Sequence, residues 1–575
     1  MKQKLDQLGK ENLRQIILKM GEFLSREQYG QLERMVDEYI SKDTEPEKAQ
    51  IPTRMSQEYV NEKMSRIEDW MKQINDGELC LNAEGYEDYS TGYWNSEWVT
   101  EYYDNQGIGD KILSMIQFAK DCVDDRRYQE ANDIYEWLWE MCICCDKEFE
   151  DPVDLEKLIE EGIVRTDMKQ LVLLTLYADY QVQEPDNRAQ DIYLYFSMYP
   201  FWQIHIEEMF HAGRENLTGI EQFWKDWIAL LKTKSGAVEA RLLQEAVLYN
   251  EGIEGLVKMA DENCKTHPSL YLTAMKEYDR SHDYKRIEEI GEKALGQIDS
   301  RLVIRSQMAL KAAYASSCLK HEEKVMLFCW EAFRSESTDR NFLRLFGTKE
   351  MAERYGIRGK EVLSAHIKGN PQDYVRNEEL RQNVISDHGY YTLSFYTGDF
   401  EKVKEVSKNP KGSLGWSGSF IRYGIRLILL YLYQKPLPSK AAAAIASYVG
   451  FGGDGDVSEV LDFESEIIEE NRKNKTSMFW NYFQRWKKYF PMEEKEQKAY
   501  FAWAEKIVHG RADAIVGNQH RNHYSEVAVL LAIVAEIKEN MGMQGAKAEI
   551  FAEYKRKFPR HSSFQAEMKS YFGMI

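Results

Sequence analysis

Proline is scarce in this chain, with 12 among 575 residues. A β-rich protein of this length needs far more turn punctuation, which argues against sheet architectures. Cysteine is rare too. Its 8 residues lie mostly in apolar, helix-like text rather than in loops with framework spacing. That excludes a disulfide scaffold and predicts reduced, buried thiols in a cytoplasmic protein. No apolar run reaches the ~20 residues that a bilayer crossing requires. The longest, "VAVLLAIVA" and "LILLYLY", fall well short, so no membrane contact is expected. Positive charge is in deficit: 75 Lys and Arg stand against 95 Asp and Glu, a formal net charge of −20. General binding to nucleic acid or to anionic membranes needs the opposite balance. The opening "MKQKLDQLGKENLRQ" is charged and helix-like, unlike a secretory signal.

What is present reads as helix. Apolar residues recur at the three-and-four spacing of one helix face in "LRQIILKMGEFL", "EYVNEKMSRIEDWM", "LVLLTLYADY", "IEQFWKDWIALL" and "SRLVIRSQMALKAAY". Aromatics make up 13% of the chain, so Tyr, Trp and Phe must fill the core beside the aliphatics. The length exceeds the roughly 250–300 residues that one core accommodates. Connections such as "DDRR", "SHD" and "TGD" are short, which implies antiparallel neighbours. Two stretches share a pattern. In one, Ala119 is followed after a turn by Tyr128, Ala131, Tyr135 and Leu138. In the other, Tyr271, Ala274 and Tyr278 precede Tyr284, Ile287, Gly291 and Ala294. Small residues there would let paired helices approach closely, and aromatics would fill the space between pairs. The pattern resembles the tetratricopeptide (TPR) helix hairpin. The expected fold is all-α, a divergent TPR-like α-solenoid of antiparallel helix pairs.

Four regions follow from this reading: an N-terminal helical segment (residues 1–80), an acidic aromatic connection (81–110), a helical-repeat array (111–450), and C-terminal helical repeats with a capping helix (451–575). Within the connection, residues 85–110 break the helical period. They are expected to be either an ordered connection packed on the array or a docking loop. At the other end, residues 527–541 and 546–558 read as a last hairpin. Phe564, Met568 and Phe572 beyond it recur at helical spacing, as on a capping helix.

Several stretches in order carry a family resemblance: "LDQLGKENLRQIILKM", "YYDNQGIGDKILSMI", "DRRYQEANDIYEWL", "KVMLFCWEAFRSESTDRNFLRLF", "RADAIVGNQHRNHYSEVAVLLAIVAEI" and "YKRKFPRHSSFQAEM". Together they resemble the helical region that follows the zinc finger in bacterial SWIM zinc-finger proteins. The finger itself needs Cys-x-Cys followed by Cys-x-His. This chain offers "MCICC" (Cys142, Cys144, Cys145), "CKTH" (Cys264, His267) and "CLKH" (Cys318, His321), none with that spacing. The finger is therefore expected to be missing, and its nucleic-acid role is not carried over.

The candidate sites are few. "GFGGDG" (450–455) matches the dinucleotide-binding glycine pattern formally, but helix-like text precedes it and Asp454 and Asp456 would repel phosphate. It is expected to be an acidic turn. "HIEEMFH" lacks the spacing of a zinc-protease helix. No nucleophile elbow or Walker sequence occurs, so no cofactor and no metal are expected. The densest polar stretch is "HGRADAIVGNQHRNHY", His509 to Tyr524, at a corner between two helices. There Arg511, His520 and Arg521 could cap carbonyls or pair with Asp513. Alternatively Arg511 and Arg521 grip a carboxylate or phosphate, with Tyr524 stacked beside it. The expected function is a non-enzymatic scaffold holding a protein partner. Two alternatives stay open: a nucleic-acid-associated protein using basic "YKRKFPRH", and an enzyme with an unrecognised site near His520.

Overall fold

Serine, threonine and aspartate open helix after helix. Such side chains accept from a first-turn backbone N–H, one of the donors that a helix start leaves unpartnered. Ser56 does so for Tyr59, Asp167 for Gln170, Asp283 for Arg286 and Ser439 for Ala442. The computed structural model describes residues 55–88, 97–146, 151–370, 378–408, 413–451 and 460–573. The stretch "LRQIILKMGEFL" and most of "GFGGDG" lie outside them. The fold is predominantly helical. Among the described residues no helix is long and apolar enough to cross a membrane. The chain divides into two compact units, Met1–Met259 and Ala260–Ile575.

The first unit contains α1 (Gln57–Asn75), α2 (Ile108–Asp124), α3 (Tyr128–Glu140), α4 (Met168–Val182), α5 (Ile220–Leu231) and the start of α6 (Ala237–Asn263). Helix α2 packs on α3, and α3 on α4. Ala119, Ala131, Tyr135 and Leu138 are all fully buried, as the small-and-aromatic pattern requires. Burial on α5 is largely aromatic, with Trp227 stacked on Phe223 at 5.7 Å. Helix α6 is broken at Gly252, whose φ of 69° is tolerated by glycine and few others.

Helix-based reading falls short twice in this unit. Residues 85–110 include regular strand structure that it did not distinguish from a connection. They contribute to an antiparallel hairpin of β1 (Asn82–Asp88) and β2 (Glu97–Tyr103), with Asn82 opposite Tyr103 and Asp88 opposite Glu97. The tip lies outside the described residues. The second strand is rich in strand-favouring Trp, Val, Thr and Tyr, so the signal lay in composition rather than in a period. The cysteine cluster is also misread by helical spacing. Its segment is extended, bridging Leu81 to Cys145 and Ile143 to Val153. Alternation then buries Met141 and Ile143 and exposes Cys142 and Cys144, so these two are surface thiols.

The second unit begins with α7 (Ser269–Arg280), α8 (Tyr284–Gln297), α9 (Ile304–Cys318) and α10 (Glu322–Ser335), each packed on the next. A Cβ on Gly291 of α8 would lie 2.5 Å from the Cβ of Ala312 on α9, so the close approach demands glycine. A short parallel pair follows, β3 (Ile367–Lys368) with β4 (Val384–Ile385). Trp486 is fully buried among Phe395, Tyr396, Phe483 and Phe490, and its indole N–H donates to the Tyr396 carbonyl at 2.7 Å.

The C-terminal part is built from α11 (Ile421–Leu432), α12 (Lys440–Val449), α13 (Met478–Lys487), α14 (Glu494–Gly517), α15 (Tyr524–Asn540), α16 (Ala546–Lys557) and α17 (Ser562–Phe572). Helix α15 is buried continuously from Val527 to Ile537 and packs against α11, α12, α14, α16 and α17. A helix apolar on all sides must be central. Helix α17 falls where a C-terminal helix with a buried stripe was expected. Its Phe564, Met568 and Phe572 are buried, Phe564 packs edge-on to Tyr554 at 6.1 Å, and Phe572 faces Phe551 at 6.3 Å. Replacing Phe564 with alanine should therefore cost about 3–5 kcal/mol in chemical denaturation. Deleting the chain from Ser562 onward should lower the melting temperature and promote self-association. An unchanged, monomeric truncation would mean that α17 covers nothing.

Candidate functional site: an arginine cluster around Glu526

Helix α11 carries Arg422 and Arg426 four residues apart, hence on one face. Both guanidinium groups lie over the ring of Tyr448 near the end of α12, at 5.3 Å and 4.3 Å. Arg511 enters from α14. Its Nη1 donates to the carbonyls of Ser413 and Leu414 at 2.9 and 2.8 Å, and its guanidinium lies 4.8 Å over buried Trp416. All three converge on Glu526, in the first turn of α15. Arg511 Nη2 donates to Glu526 Oε1 at 3.3 Å, Arg426 Nη2 lies 3.8 Å from the same oxygen, and Arg422 Nη2 lies 3.7 Å from Oε2. His523 Nδ1 is 3.1 Å from Oε2.

Among the described residues, three guanidinium groups thus share one carboxylate, a surplus of two positive charges before His523 is counted. Water is largely shut out of the inner part. The side chains of Arg511, Arg426 and Glu526 are 4%, 5% and 8% exposed, whereas Arg422 and His523 reach 40% and 44%. Burial pushes the Arg511 and Arg426 guanidinium groups below their ordinary range. Glu526 opposes that shift, and the neighbouring Arg422 adds to it. Both remain cations at neutral pH. Two donors inside the cluster, Nε of Arg422 and Nε of Arg511, are buried with no hydrogen-bond partner among the described residues. A site with surplus positive charge, idle donors and an open side formed by Arg422, His523 and half-exposed Tyr448 can take up an anion.

No family model matches this chain, and no curated protein matches it.

The structure separates the residues picked out at the corner. Arg511 does cap carbonyls, but it pairs with Glu526; Asp513 is bound instead by Lys557 at 2.6 Å. His520 and Arg521 are exposed on the turn between α14 and α15. Tyr524 is buried on another side of α15 against His561 and Phe564, where it cannot stack beside an anion held by Arg511. His509 donates to or accepts from the Tyr554 hydroxyl at 2.9 Å. Elsewhere, His205 pairs with Glu245 at 2.9 Å, and His321 with Glu288 at 2.9 Å. Among the described residues no group of three metal-ligating side chains assembles.

The residues that sequence reasoning missed are Arg422, Arg426, Glu526, Tyr448 and Trp416. A signal for the first two exists: "IRYGIRLILLYL" sets two arginines on one face of an otherwise apolar helix, which demands a counter-charge. Nothing in the sequence identifies that charge as Glu526.

Replacing Glu526 with glutamine should leave three guanidinium groups without a buried counter-charge and cost about 3–5 kcal/mol in urea unfolding. Replacing Asp513, whose partner is half-exposed Lys557, should cost less than about 1 kcal/mol. Equal losses at the two positions would show that Glu526 does not organise the cluster.

Proposed function

We propose that this chain is a non-enzymatic, TPR-like helical scaffold that holds a protein partner, and that the arginine cluster around Glu526 is the contact for an acidic segment of that partner. The carrying observation is the charge imbalance: three guanidinium groups, two of them nearly inaccessible, against one carboxylate. Desolvated, unbalanced cations are costly unless an anion joins them. The open side adds a half-exposed aromatic ring, Tyr448, so a carboxylate flanked by apolar residues matches it best. Close packing of α8 on α9 at Gly291 and the resemblance to the helical region of SWIM zinc-finger proteins support the scaffold reading. The basic "YKRKFPRH" stretch offers less. Lys557 is engaged with Asp513, and the chain as a whole carries −20.

A fluorescein-labelled peptide of alternating glutamate and leucine should bind the full chain, as read by anisotropy. Its lysine counterpart should not. Arg422→Gln removes the most exposed guanidinium while leaving Arg426 and Arg511 in place, and should weaken the acidic peptide about tenfold, or ~1.4 kcal/mol. Binding that is indifferent to Arg422, or that prefers the basic peptide, would overturn the proposal.

A further inference from the structure

A second cationic feature of the Ala260–Ile575 unit lies away from Glu526 and serves no part of the reading above. Between the starts of α9 and β3 is a cleft of about 430 Å³, lined by Arg301, Arg334, Arg358, Trp330, His366 and Glu361 among others. This volume lies within the range of small-ligand sites.

Each guanidinium in the cleft is clamped along one edge and idle along another. Asp299 takes Nε and Nη2 of Arg301 at 3.1 and 2.6 Å. Glu361 takes Nε and Nη2 of Arg358 at 3.1 and 2.9 Å. Glu331 takes Nη1 of Arg334 at 2.8 Å. That leaves Nη1 of Arg301, Nη1 of Arg358, and Nε and Nη2 of Arg334 without a hydrogen-bond partner among the described residues. The carboxylates therefore act as braces that fix the forks and leave donors for a guest. Arg358 is further held 5.3 Å over Trp330, whose ring also stacks on Tyr355 at 5.5 Å. His366 is turned by a hydrogen bond from Nδ1 to the Leu363 carbonyl, and its Nε2 is buried without a partner.

Idle donors from three separate segments, a fork on Arg334 and a single Nη1 on each of Arg301 and Arg358, select among anions. A carboxylate is planar and is satisfied by a single fork. Tetrahedral phosphoryl groups spread their oxygens in several directions and can meet all three. A nucleobase gains nothing here, because Tyr355 and Arg358 already occupy the neighbourhood of the Trp330 ring. We infer that the cleft between Arg301, Arg334 and Arg358 is a binding site for a compact phosphoanhydride anion of the pyrophosphate type.

Inorganic pyrophosphate is the probe, titrated calorimetrically into the full chain, with citrate as a polycarboxylate of similar size. Pyrophosphate should bind at least about tenfold more tightly than citrate. Arg301→Gln and Arg334→Gln change side chains that are 62% and 42% exposed and leave the core intact. Each should weaken pyrophosphate about tenfold or more. Arg422→Gln, in the other cluster, should leave pyrophosphate unaffected, so failure of one proposal does not entail failure of the other. The inference is overturned if pyrophosphate does not bind, if citrate binds as tightly, or if the affinity survives both cleft substitutions. It is equally overturned if the affinity falls only with Arg422→Gln.

Discussion

One carboxylate deprived of water organises the C-terminal part of this protein. Glu526 sits on α15, a helix so completely buried that nearly every other side chain from Val527 to Ile537 is apolar. An ionised group there is tolerated only with opposite charge at hand. Arg422 and Arg426 supply it from α11, and Arg511 from α14. The same helix repeats the device three turns on. Glu536, 1% exposed, binds Lys547 of α16 at 2.8 Å and accepts from Ser439, the cap of α12, at 2.5 Å. Two buried carboxylates on one central helix thus fix the register of four surrounding helices. Apolar packing alone would fix it less sharply, because hydrophobic contact has no direction.

The two anchors differ in balance. Glu536 meets one lysine, whereas Glu526 meets three arginines. An ion pair made only for folding has no need of surplus cations that repel each other at close range. Burial depresses the tendency of Arg426 to hold its charge, and Arg422 and Arg511 each add to that. This imbalance occurs in a chain that is otherwise strongly acidic. A basic spot on an acidic protein leaves nucleic acid and membrane surfaces disfavoured at long range. It retains attraction for a short anionic group that can approach closely.

Much of the helical architecture was legible in the sequence, because it follows from a period. The three-and-four spacing located α4, α5 and α9. The small residues Ala274, Gly291 and Ala294 are buried on α7 and α8, and the spacing of Phe564, Met568 and Phe572 marked the buried stripe of α17. The corner at Gly517 and the restart at Tyr524 were also readable from composition. What was missed has a different physical origin. In "MCICC", assuming a helix put Cys142 inside, whereas alternation in an extended segment puts it outside. At the candidate site, Arg511 stood out because it lies in dense polar text, but so did His520 and Arg521, which are simply exposed. The partners that give Arg511 its significance lie 15 residues ahead at Glu526 and 97 residues back at Leu414. Such a meeting is set by packing, not by local spacing.

On the function proposed above, an external anion completes the surplus positive charge of the Glu526 cluster. The most direct measurement is anomalous diffraction from crystals grown with selenate, recorded at the selenium edge on protein that contains ordinary methionine. An anomalous peak is expected on the open side of the cluster, within hydrogen-bonding reach of Arg422 and His523. A map with no peak there would contradict it, above all if a protein carboxylate occupied that position.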